Sequence, residues 1–321
     1  MWLNNQIVPV LNTENTDNHP MPSLSRQQLI LLVLLTLVWG INWPVMKLGV
    51  SDYPPLTFRA LSLLLGVPVL ALGLMALKVP FRIPRAYWRE LFWLSLTNMF
   101  IWHGLIILAV KSLSSGRAAI LGYSMPIFSA VLGALVFGNR LPPRAWGGVA
   151  AALGVMLLLW HELAKLSGAP VGVTLALVAA ATWALGTQLL RRTRMPVPTL
   201  AISFWMTALT TLVMTLLSVL FERPQWKMPS GTTTSAIAFN AVLIFGFAHA
   251  AWFYLARTLP PVASTLSVMF IPVLGVFSGA WWLGEELHWQ DWAAVFLMVA
   301  AIASVLLPRR AVRPEAVRGT T

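Results

Sequence analysis

The chain has 321 residues, of which 58% are hydrophobic and only 10% are charged, and it contains 16 Trp and 13 Met. Soluble domains carry about a quarter of their residues as charged side chains, so this composition excludes an ordinary water-soluble protein. Cysteine is absent, which excludes disulfides, thiolate catalysis, iron–sulfur clusters and cysteine-based zinc sites.

The stretch 1–26, before the first apolar segment, is polar and rich in Asn and Pro. A secretory signal peptide has a basic start followed by an apolar core, and this stretch has neither. We therefore predict a disordered cytoplasmic tail, with Met21 as an alternative start to Met1. The stretch 308–321 is short and basic, and it is predicted to be a second disordered cytoplasmic tail.

Ten apolar segments lie between these tails, and the separators carry most of the charges and the Pro and Gly punctuation. About 20 helical residues cross a hydrocarbon core of about 30 Å, and a helix satisfies its backbone hydrogen bonds internally. None of the segments alternates like the strands of a transmembrane barrel. The predicted fold is all-α and integral to the membrane, with ten transmembrane helices at 27–50, 55–77, 88–110, 115–137, 144–160, 170–190, 197–221, 234–256, 261–283 and 289–307.

The basic residues indicate how these helices are oriented. If the helices cross in turn, about two thirds of the 22 Lys and Arg residues fall on the side of the N-terminus. Basic residues favour the cytoplasmic side, so both termini are predicted to be cytoplasmic. The net charge of +12 is thus a topology signal, and the expected partner is the lipid bilayer and not a nucleic acid. No Asp or Glu lies in the middle of a predicted span.

The second half of the chain repeats the first. When the chain is slid so that His103 falls on His249, Pro126 also falls on Pro272. Each half holds five spans, an odd number, so the second half must enter the membrane upside down relative to the first. Inverted repeats are typical of secondary transporters, whose site lies near the bilayer midplane between the halves.

Three stretches of the sequence also resemble a known family. They are WGINWPVMKLG at 39–49, VKSLSSGRAAILGYSMPIFSAVLGALVFGNRLPPRAWGGVAAALGVMLLL at 110–159, and ARTLPPVASTLSVMFIPVLGVFSGAWWLGEELHWQDWAAVFLMVAAIASVLL at 256–307. They are similar to EamA-type units of the drug/metabolite transporter superfamily, close to its bacterial amino-acid exporters. The resemblance implies two inverted five-helix repeats, at 27–160 and 170–307.

One position departs from the pattern of that family. The family usually has Gly-Glu after the fourth and ninth helices. The second copy here keeps Gly284-Glu285, whereas the first copy has Gly138-Asn139. A role that needs two symmetric acids is therefore not expected in this chain.

The candidate substrate-binding residues are polar and aromatic side chains within the spans. A polar residue at mid-bilayer usually faces the bundle interior or a wet cavity, so we expect His103 and His249 to face a central pathway from opposite halves. The alternative is a hydrogen bond that serves only helix packing, and for the aromatic residues it is core packing. The predicted substrate-binding set is Trp39, Asn42, Trp43, Trp102, His103, Tyr123, Trp183, His249 and Ser267.

The mid-span prolines and Arg59 each have two possible interpretations. Pro126 and Pro272 sit mid-span at matched positions, and because proline removes a backbone hydrogen bond they are predicted hinges, with a static bend as the alternative. Arg59 lies just inside the second span. The default prediction is that its side chain snorkels to the outer interface, and the rival is that it captures a substrate carboxylate.

The absence of deep carboxylates shapes the predicted function, because intramembrane Asp or Glu is the usual proton relay. We predict facilitated transport, with histidine-coupled transport as the alternative. A cavity without a counter-charge disfavours a net ion but accepts a zwitterion, whose ammonium can rest on aromatic faces. In agreement with the resemblance, we predict an exporter of neutral and aromatic amino acids that works by alternating access.

The predicted location is the bacterial cytoplasmic membrane, as a monomer or homodimer. The alternatives are a broad drug/metabolite exporter with proton antiport and a nucleotide-sugar-type carrier. The chain has no His-Glu-x-x-His, no Gly-x-Ser-x-Gly and no close pair of deep carboxylates. It is therefore predicted not to be an enzyme and to need no metal or cofactor.

Overall fold

The computed structural model describes residues 25–139, 143, 146–154, 169–259 and 261–306, without the side chains of 169, 261–269 and 305–306. Every regular element in this part of the chain is a helix. In chain order the helices are α1 Arg26–Ser51, α2 Pro55–Ala76, α3 Arg85–Ser112, α4 Ser115–Leu135, α5 146–154, α6 Ala169–Arg192, α7 Thr199–Gln225, α8 Gly231–Thr258, α9 Pro261–Leu283 and α10 Trp289–Leu306.

Seven of these helices are long and apolar enough to cross a membrane, namely α1 to α4 and α6 to α8. The apolar helical parts described for α9 and α10 are shorter, at Phe270–Leu283 and Trp289–Ser304. The helices follow the ten predicted segments in order, so the predicted all-α membrane fold is confirmed. Both predicted tails lie outside the described residues, apart from Ser25 and Arg26.

Local sequence signals set several of the helix ends. Ser25 forms a capping box at the start of α1, and the side chains of Ser114 and Ser230 accept backbone N–H groups at the starts of α4 and α8. Serine caps of this kind satisfy donors that have no partner within the helix. Gly138 and Gly284 follow α4 and α9 with φ of 69° and 65°. Glycine adopts this left-handed conformation without strain, and it therefore ends helices.

Equivalent helices of the two halves make equivalent contacts across the interface between the halves. Helix α1 packs against α9, and its repeat mate α6 packs against α4; likewise α2 packs against α8, and α7 packs against α3. A Cβ added to Gly172, near the start of α6, would meet Ser112 and Leu113 at the end of α3. Lys111, also at the end of α3, donates to the carbonyls that end α1. Helix α6 therefore starts where α1 ends, so the repeats are inverted.

The end of the bundle at which α1 finishes is called the far end below, and the opposite end is the near end. Helices α2, α4, α6, α8 and α10 begin at the far end. The matched prolines lie in different local structure. Pro126 follows a break in α4 between Gly122 and Met125, whereas Pro272 lies inside the continuous helix α9. Their role as hinges stays a prediction.

Glycine allows α1 and α9 to approach closely. A Cβ added at Gly40 would lie 2.6 Å from Cβ of Leu274, closer than two carbon atoms can pack. We expect Gly40→Ala to lower the free energy of unfolding by about 1–3 kcal/mol, because an overpacked core must shift. The measurement is thermal unfolding of the purified protein in detergent.

Gly73 in α2 provides the matched control for this substitution. It is exposed, and an added Cβ would have no atom within 4 Å. Gly73→Ala should leave the unfolding temperature unchanged or raise it slightly, because alanine favours a helix over glycine. Equal unfolding temperatures for the two variants would show that the contact between α1 and α9 is not tight.

Candidate functional site

A narrow cavity of about 30 Å³ lies between the two repeats. Eight of the nine predicted substrate-binding residues line it: Trp39, Asn42, Trp43, Trp102, His103, Tyr123, Trp183 and His249. The other lining residues are Met46, Arg59, Ile106, Met125 and Ile244. The ninth predicted residue, Ser267, lies in 261–269, outside the described side chains. That these residues bind a substrate stays a prediction.

Aromatic rings form most of the cavity wall. The ring of Trp183 in α6 lies 6.3 Å from that of Trp39 and 5.2 Å from that of Trp102, between centroids. Trp43 of α1 meets Tyr123 of α4 edge to face at 5.9 Å. Contacts of this geometry are favourable beyond the area that they bury. The wall therefore combines α1 and α6, which are repeat mates, with α3 and α4.

The two intramembrane histidines contact each other directly. Nε2 of His103 lies 3.1 Å from Nε2 of His249, and both residues are only 2% exposed. Nδ1 of His249 lies 2.9 Å from the carbonyl oxygen of Ile244. A carbonyl can only accept, so this Nδ1 carries a hydrogen and donates.

That bond determines the hydrogens of the whole pair in its neutral form. Nε2 of His249 must then accept, so Nε2 of His103 is the donor between the rings. Nδ1 of His103 is left as an acceptor, and it is buried without a hydrogen-bond partner. The pair thus joins the two repeats and presents one free acceptor.

A local widening of α3 and α8 precedes each histidine. Leu96–Phe100 in α3 and Asn240–Ala248 in α8 are π-helical. In the second case the backbone N–H of His249 donates to the carbonyl of Ile244, five residues earlier, which also accepts from the imidazole of His249. π-Helical turns are rare and occur frequently at functional sites. Both repeats use this device at matched positions.

Arg59 corrects two predictions. Its side chain does not snorkel to the outer interface, because the residue is only 1% exposed and lines the cavity. Nη1 donates to Oδ1 of Asn240 at 3.2 Å, and Nη2 lies 2.9 Å from the sulfur of Met46. The expectation of a cavity without fixed charge is therefore wrong: the cavity contains one buried cation. The guanidinium stays in the interior because the start of α2 is covered and because Asn240 on α8 supplies an acceptor. The sequence around Arg59 predicts neither feature.

Three of the residues that line the cavity each carry a buried polar atom without a hydrogen-bond partner. These atoms are Nε of Arg59, Oδ1 of Asn42 and Nδ1 of His103. A buried polar atom left unpaired costs about 1–3 kcal/mol, so three around one cavity require an explanation. The chemistry on offer is one cationic donor and two neutral acceptors. No group of three His, Asp or Glu in the described part of the chain is arranged to hold a metal ion.

Two lysines join α1 to α3 at the far end. Nζ of Lys47 donates to the carbonyls of Val110 and Leu113 at 3.1 and 2.6 Å. Nζ of Lys111 donates in the opposite direction, to the carbonyls of Val50 and Ser51 at the end of α1. Each lysine satisfies carbonyls that the end of a helix leaves without partners. These contacts hold the two helix ends together.

Carboxylates of the second repeat hold the first repeat at the same end. Glu222 at the end of α7 accepts from the backbone N–H groups of Leu56 and Thr57 at 3.0 and 2.6 Å. Glu285, after α9, accepts from the backbone N–H of Ser115 at 2.6 Å and from its hydroxyl at 2.8 Å. An anion at a helix N-terminus is favoured by the free N–H groups and the helix dipole. The far end is therefore closed by charge-assisted bonds between repeats.

The near end carries weaker ties among the described residues. Gln188 of α6 donates to the backbone carbonyl and hydroxyl of Ser129 in α4 at 2.9 and 2.8 Å. Asn139 follows α4 at the position that matches Glu285 after α9, and the backbone has the same geometry at both positions. The N–H of Asn139 donates to the carbonyl of Gly133. The first copy therefore offers a neutral amide where the second offers a carboxylate.

Relatives of this chain carry transporter names. It is 26% identical over 265 residues to "Uncharacterized transporter YoaV" of Bacillus subtilis, covering 81% of this chain and 88% of that protein. It is 28% identical over 285 residues to "Uncharacterized inner membrane transporter YedA" of Escherichia coli K12, covering 86% and 89%. It is also 28% identical over 290 residues to "Probable amino-acid metabolite efflux pump" of Salmonella typhimurium, covering 87% and 94%.

The fold has a counterpart among solved structures. One, described as "Crystal structure of protein", has a TM-score of 0.66 and 22% identity, covering 88% of this chain and 99% of that chain. The sequence pattern of the EamA-like transporter family matches residues 27–160 and 170–307, which together make up most of the chain. The protein is therefore a multi-pass membrane transporter that belongs to the EamA-like transporter family, within the drug/metabolite transporter superfamily.

Proposed function

We propose that this transporter exports neutral and aromatic amino acids, or similar small zwitterionic metabolites, by facilitated alternating access. The observation that carries the proposal is the cavity between the repeats, which joins an aromatic wall to a few polar atoms without partners. Aromatic faces accept both an apolar side chain and an ammonium group. The name of the Salmonella relative, an amino-acid metabolite efflux pump, supports the same substrate class.

The proposed orientation puts both termini in the cytoplasm, so that the far end faces the outside of the cell. The name of the Escherichia coli relative, an inner membrane transporter, supports the cytoplasmic membrane of a bacterium as the location. The cycle would rock one repeat against the other around the central site. In the conformation described, breaking the far-end ties of Glu222 and Glu285 would release the substrate outward.

Two other substrate classes fit the cavity less well. A nucleotide sugar carries several phosphate charges, and among the described residues Arg59 is the single cationic side chain that lines this cavity. A lipophilic drug cation would be repelled by the same guanidinium in a region of low dielectric. Proton antiport would need the histidine pair as its relay, because no carboxylate in the described part of the chain lines the cavity.

Transport by purified protein in liposomes tests the proposal. We expect efflux of phenylalanine or tryptophan down their gradients, at a rate that does not change when a pH difference is imposed. Neither a lipophilic cation nor a nucleotide sugar should move at a comparable rate. Efflux of amino acids that depends on the pH difference would contradict the facilitated mechanism, and efflux of the cation alone would replace the proposed substrate class.

A tryptophan substitution tests the site. Trp39 contacts the rings of Trp183, His249 and Trp252 within 6.3 Å, so Trp39→Ala should reduce transport at least about tenfold, a loss of about 1.4 kcal/mol of binding. His103→Ala should have a similar effect. The matched control is Trp281→Ala, because Trp281 is 92% exposed on α9. Equal transport by Trp39→Ala and the control would remove the site assignment.

A further inference from the structure

We infer that Arg59 binds the carboxylate of the substrate, so that every transported substrate must carry a free carboxylate. The inference rests on the proposed function, which it narrows from small metabolites to carboxylates. Recognition of the ammonium group is then secondary. The buried charge has no counter-ion among the described residues, its donors are only partly used, and two other residues of the cavity suit the rest of an amino acid.

The guanidinium of Arg59 is a buried charge without a counter-ion. The residue is only 1% exposed, and none of the carboxylates in the described part of the chain forms an ion pair with it; the ion pairs there are Arg117 and His288 with Asp291. Arginine stays protonated in proteins. A buried charge is normally paired, because an unpaired one is expensive in low dielectric. None of the described carboxylates supplies that partner, so we assign the role to an anion that enters the cavity.

The donors of Arg59 are positioned but not exhausted. Oδ1 of Asn240 accepts from Nη1 at 3.2 Å, and the guanidinium carbon lies 5.5 Å from the ring centroid of Phe245. These contacts, one from each of two turns of α8, fix the orientation of the group. Nε has no partner, and Nη2 contacts only the sulfur of Met46, which is a weak acceptor.

A carboxylate is the anion that fits these donors. Nε and Nη2 of one guanidinium present two parallel N–H groups, which bind the two oxygens of a carboxylate in a fork. The weak contact between Nη2 and Met46 would then be replaced by a charged bond. A phosphate with several charges would exceed what one guanidinium neutralises, so a monocarboxylate is the better match.

The other two free atoms suit an amino group. Asn42 and His103 both line the cavity, and Oδ1 of Asn42 and Nδ1 of His103 are acceptors without a donor. An ammonium group offers three donors, so it can satisfy both acceptors at once. These acceptors are neutral, however, and Arg59 is charged. Loss of the carboxylate leaves the buried charge of Arg59 unpaired, which costs more than leaving two neutral acceptors unpaired, so it should weaken binding more than loss of the amine.

Competition among four related compounds tests the inference in the wild-type protein. Liposomes are loaded with labelled phenylalanine, and exchange is competed with phenylalanine, its amide, phenethylamine and 3-phenylpropanoate. We expect the amide and phenethylamine to compete at least tenfold more weakly than phenylalanine, and 3-phenylpropanoate to stay within tenfold of it. Equal competition by the amide would overturn the role of Arg59 and leave the proposed export of amino acids standing.

Variants of Arg59 separate binding from a structural role. Arg59→Met keeps a long side chain and removes the charge, so it should abolish exchange and keep or raise the unfolding temperature, because an apolar residue in place of a buried charge is often stabilising. Arg59→Lys keeps the charge without the fork and should retain weak exchange. The control is Arg223→Gln, at an exposed residue. A large drop in the unfolding temperature of Arg59→Met, together with normal exchange by any protein that folds, would overturn the inference.

A binding measurement keeps the result decisive if no exchange of phenylalanine occurs. That outcome would remove the proposed function, and the shift of the unfolding temperature by each compound would then be measured, since ligands stabilise the state that binds them. If phenylalanine and 3-phenylpropanoate raise this temperature in the wild type but not in Arg59→Met, the carboxylate site stands. If neither raises it in the wild type, the inference is overturned.

Discussion

Glu285→Gln is expected to open the far end of the transporter. The carboxylate of Glu285 accepts from the backbone N–H groups of Ser115 and Gly116 and from the hydroxyl of Ser115. A glutamine has one oxygen in place of two, and its NH₂ group would face a donor. Hydrogen bonds to charged groups contribute about 1.5–3 kcal/mol, so we expect the closed far end to lose about 2 kcal/mol of stability.

The absence of cysteine from the chain makes this change measurable. Ile106 lines the cavity, and in an Ile106→Cys background the introduced thiol is the sole target for a maleimide that does not cross membranes. We expect Glu285→Gln to speed labelling from the far end by at least about tenfold, which corresponds to about 1.4 kcal/mol.

The neighbouring acid supplies the matched control. Glu286 is exposed and forms no hydrogen bond or ion pair among the described residues, so Glu286→Gln changes the net charge equally without removing a tie. In this variant the maleimide should label the introduced thiol at the same rate as in the Ile106→Cys background alone. If both variants label equally fast, the carboxylate of Glu285 does not hold the far end closed. A test of Glu222→Gln by the same assay would extend the result to α2.

The histidine pair is expected to behave as one unit in a double-mutant cycle. His103→Leu leaves the buried acceptor Nε2 of His249 without its donor, and His249→Leu leaves the donor of His103 without its acceptor. Each single variant should therefore lose about 1–3 kcal/mol of stability. The double variant removes both partners, so it should be more stable than the sum of the single losses predicts, although exchange of phenylalanine should stay reduced at least about tenfold.

Thermal unfolding and transport of all four proteins provide the check. The coupling energy is the difference between the double variant and the sum of the single ones. A value near zero would show that the two rings are independent, contrary to their contact. Transport by the double variant at the wild-type rate would show that the pair serves packing only. Interhelical hydrogen bonds that serve packing contribute about 0.6 kcal/mol on average in membranes.

Most of the candidate site could be predicted because the relevant signals are local or repeated. Trp39 and Trp43 share one face of α1 by spacing alone, and the internal repeat places His103 and His249 at equivalent positions. Polar residues within a span usually face the interior of the helix bundle, and aromatic residues often do so as well. The cavity therefore contains eight predicted residues, each placed there by its own helix.

Arg59 could not be predicted in the same way. Near the start of a transmembrane helix, an arginine normally reaches the interface. Here Glu222 and its partners cover that start, and Asn240, 181 positions away in sequence, supplies the acceptor in the interior. Neither fact follows from the residues around Arg59. The expectation of a cavity without charge failed for the same reason.

The amino-acid sequence by itself determined the membrane class, the ten helices, their duplication and the inversion of the second half, because hydrophobic length and the parity of spans are properties of the chain read in order. Only the tertiary structure decided which helices meet, which end is closed and where the buried charge lies. Those outcomes depend on bonds such as that of Thr57 to Glu222, 165 positions apart. The strength of such bonds comes from burial and alignment that exist only once both repeats have packed.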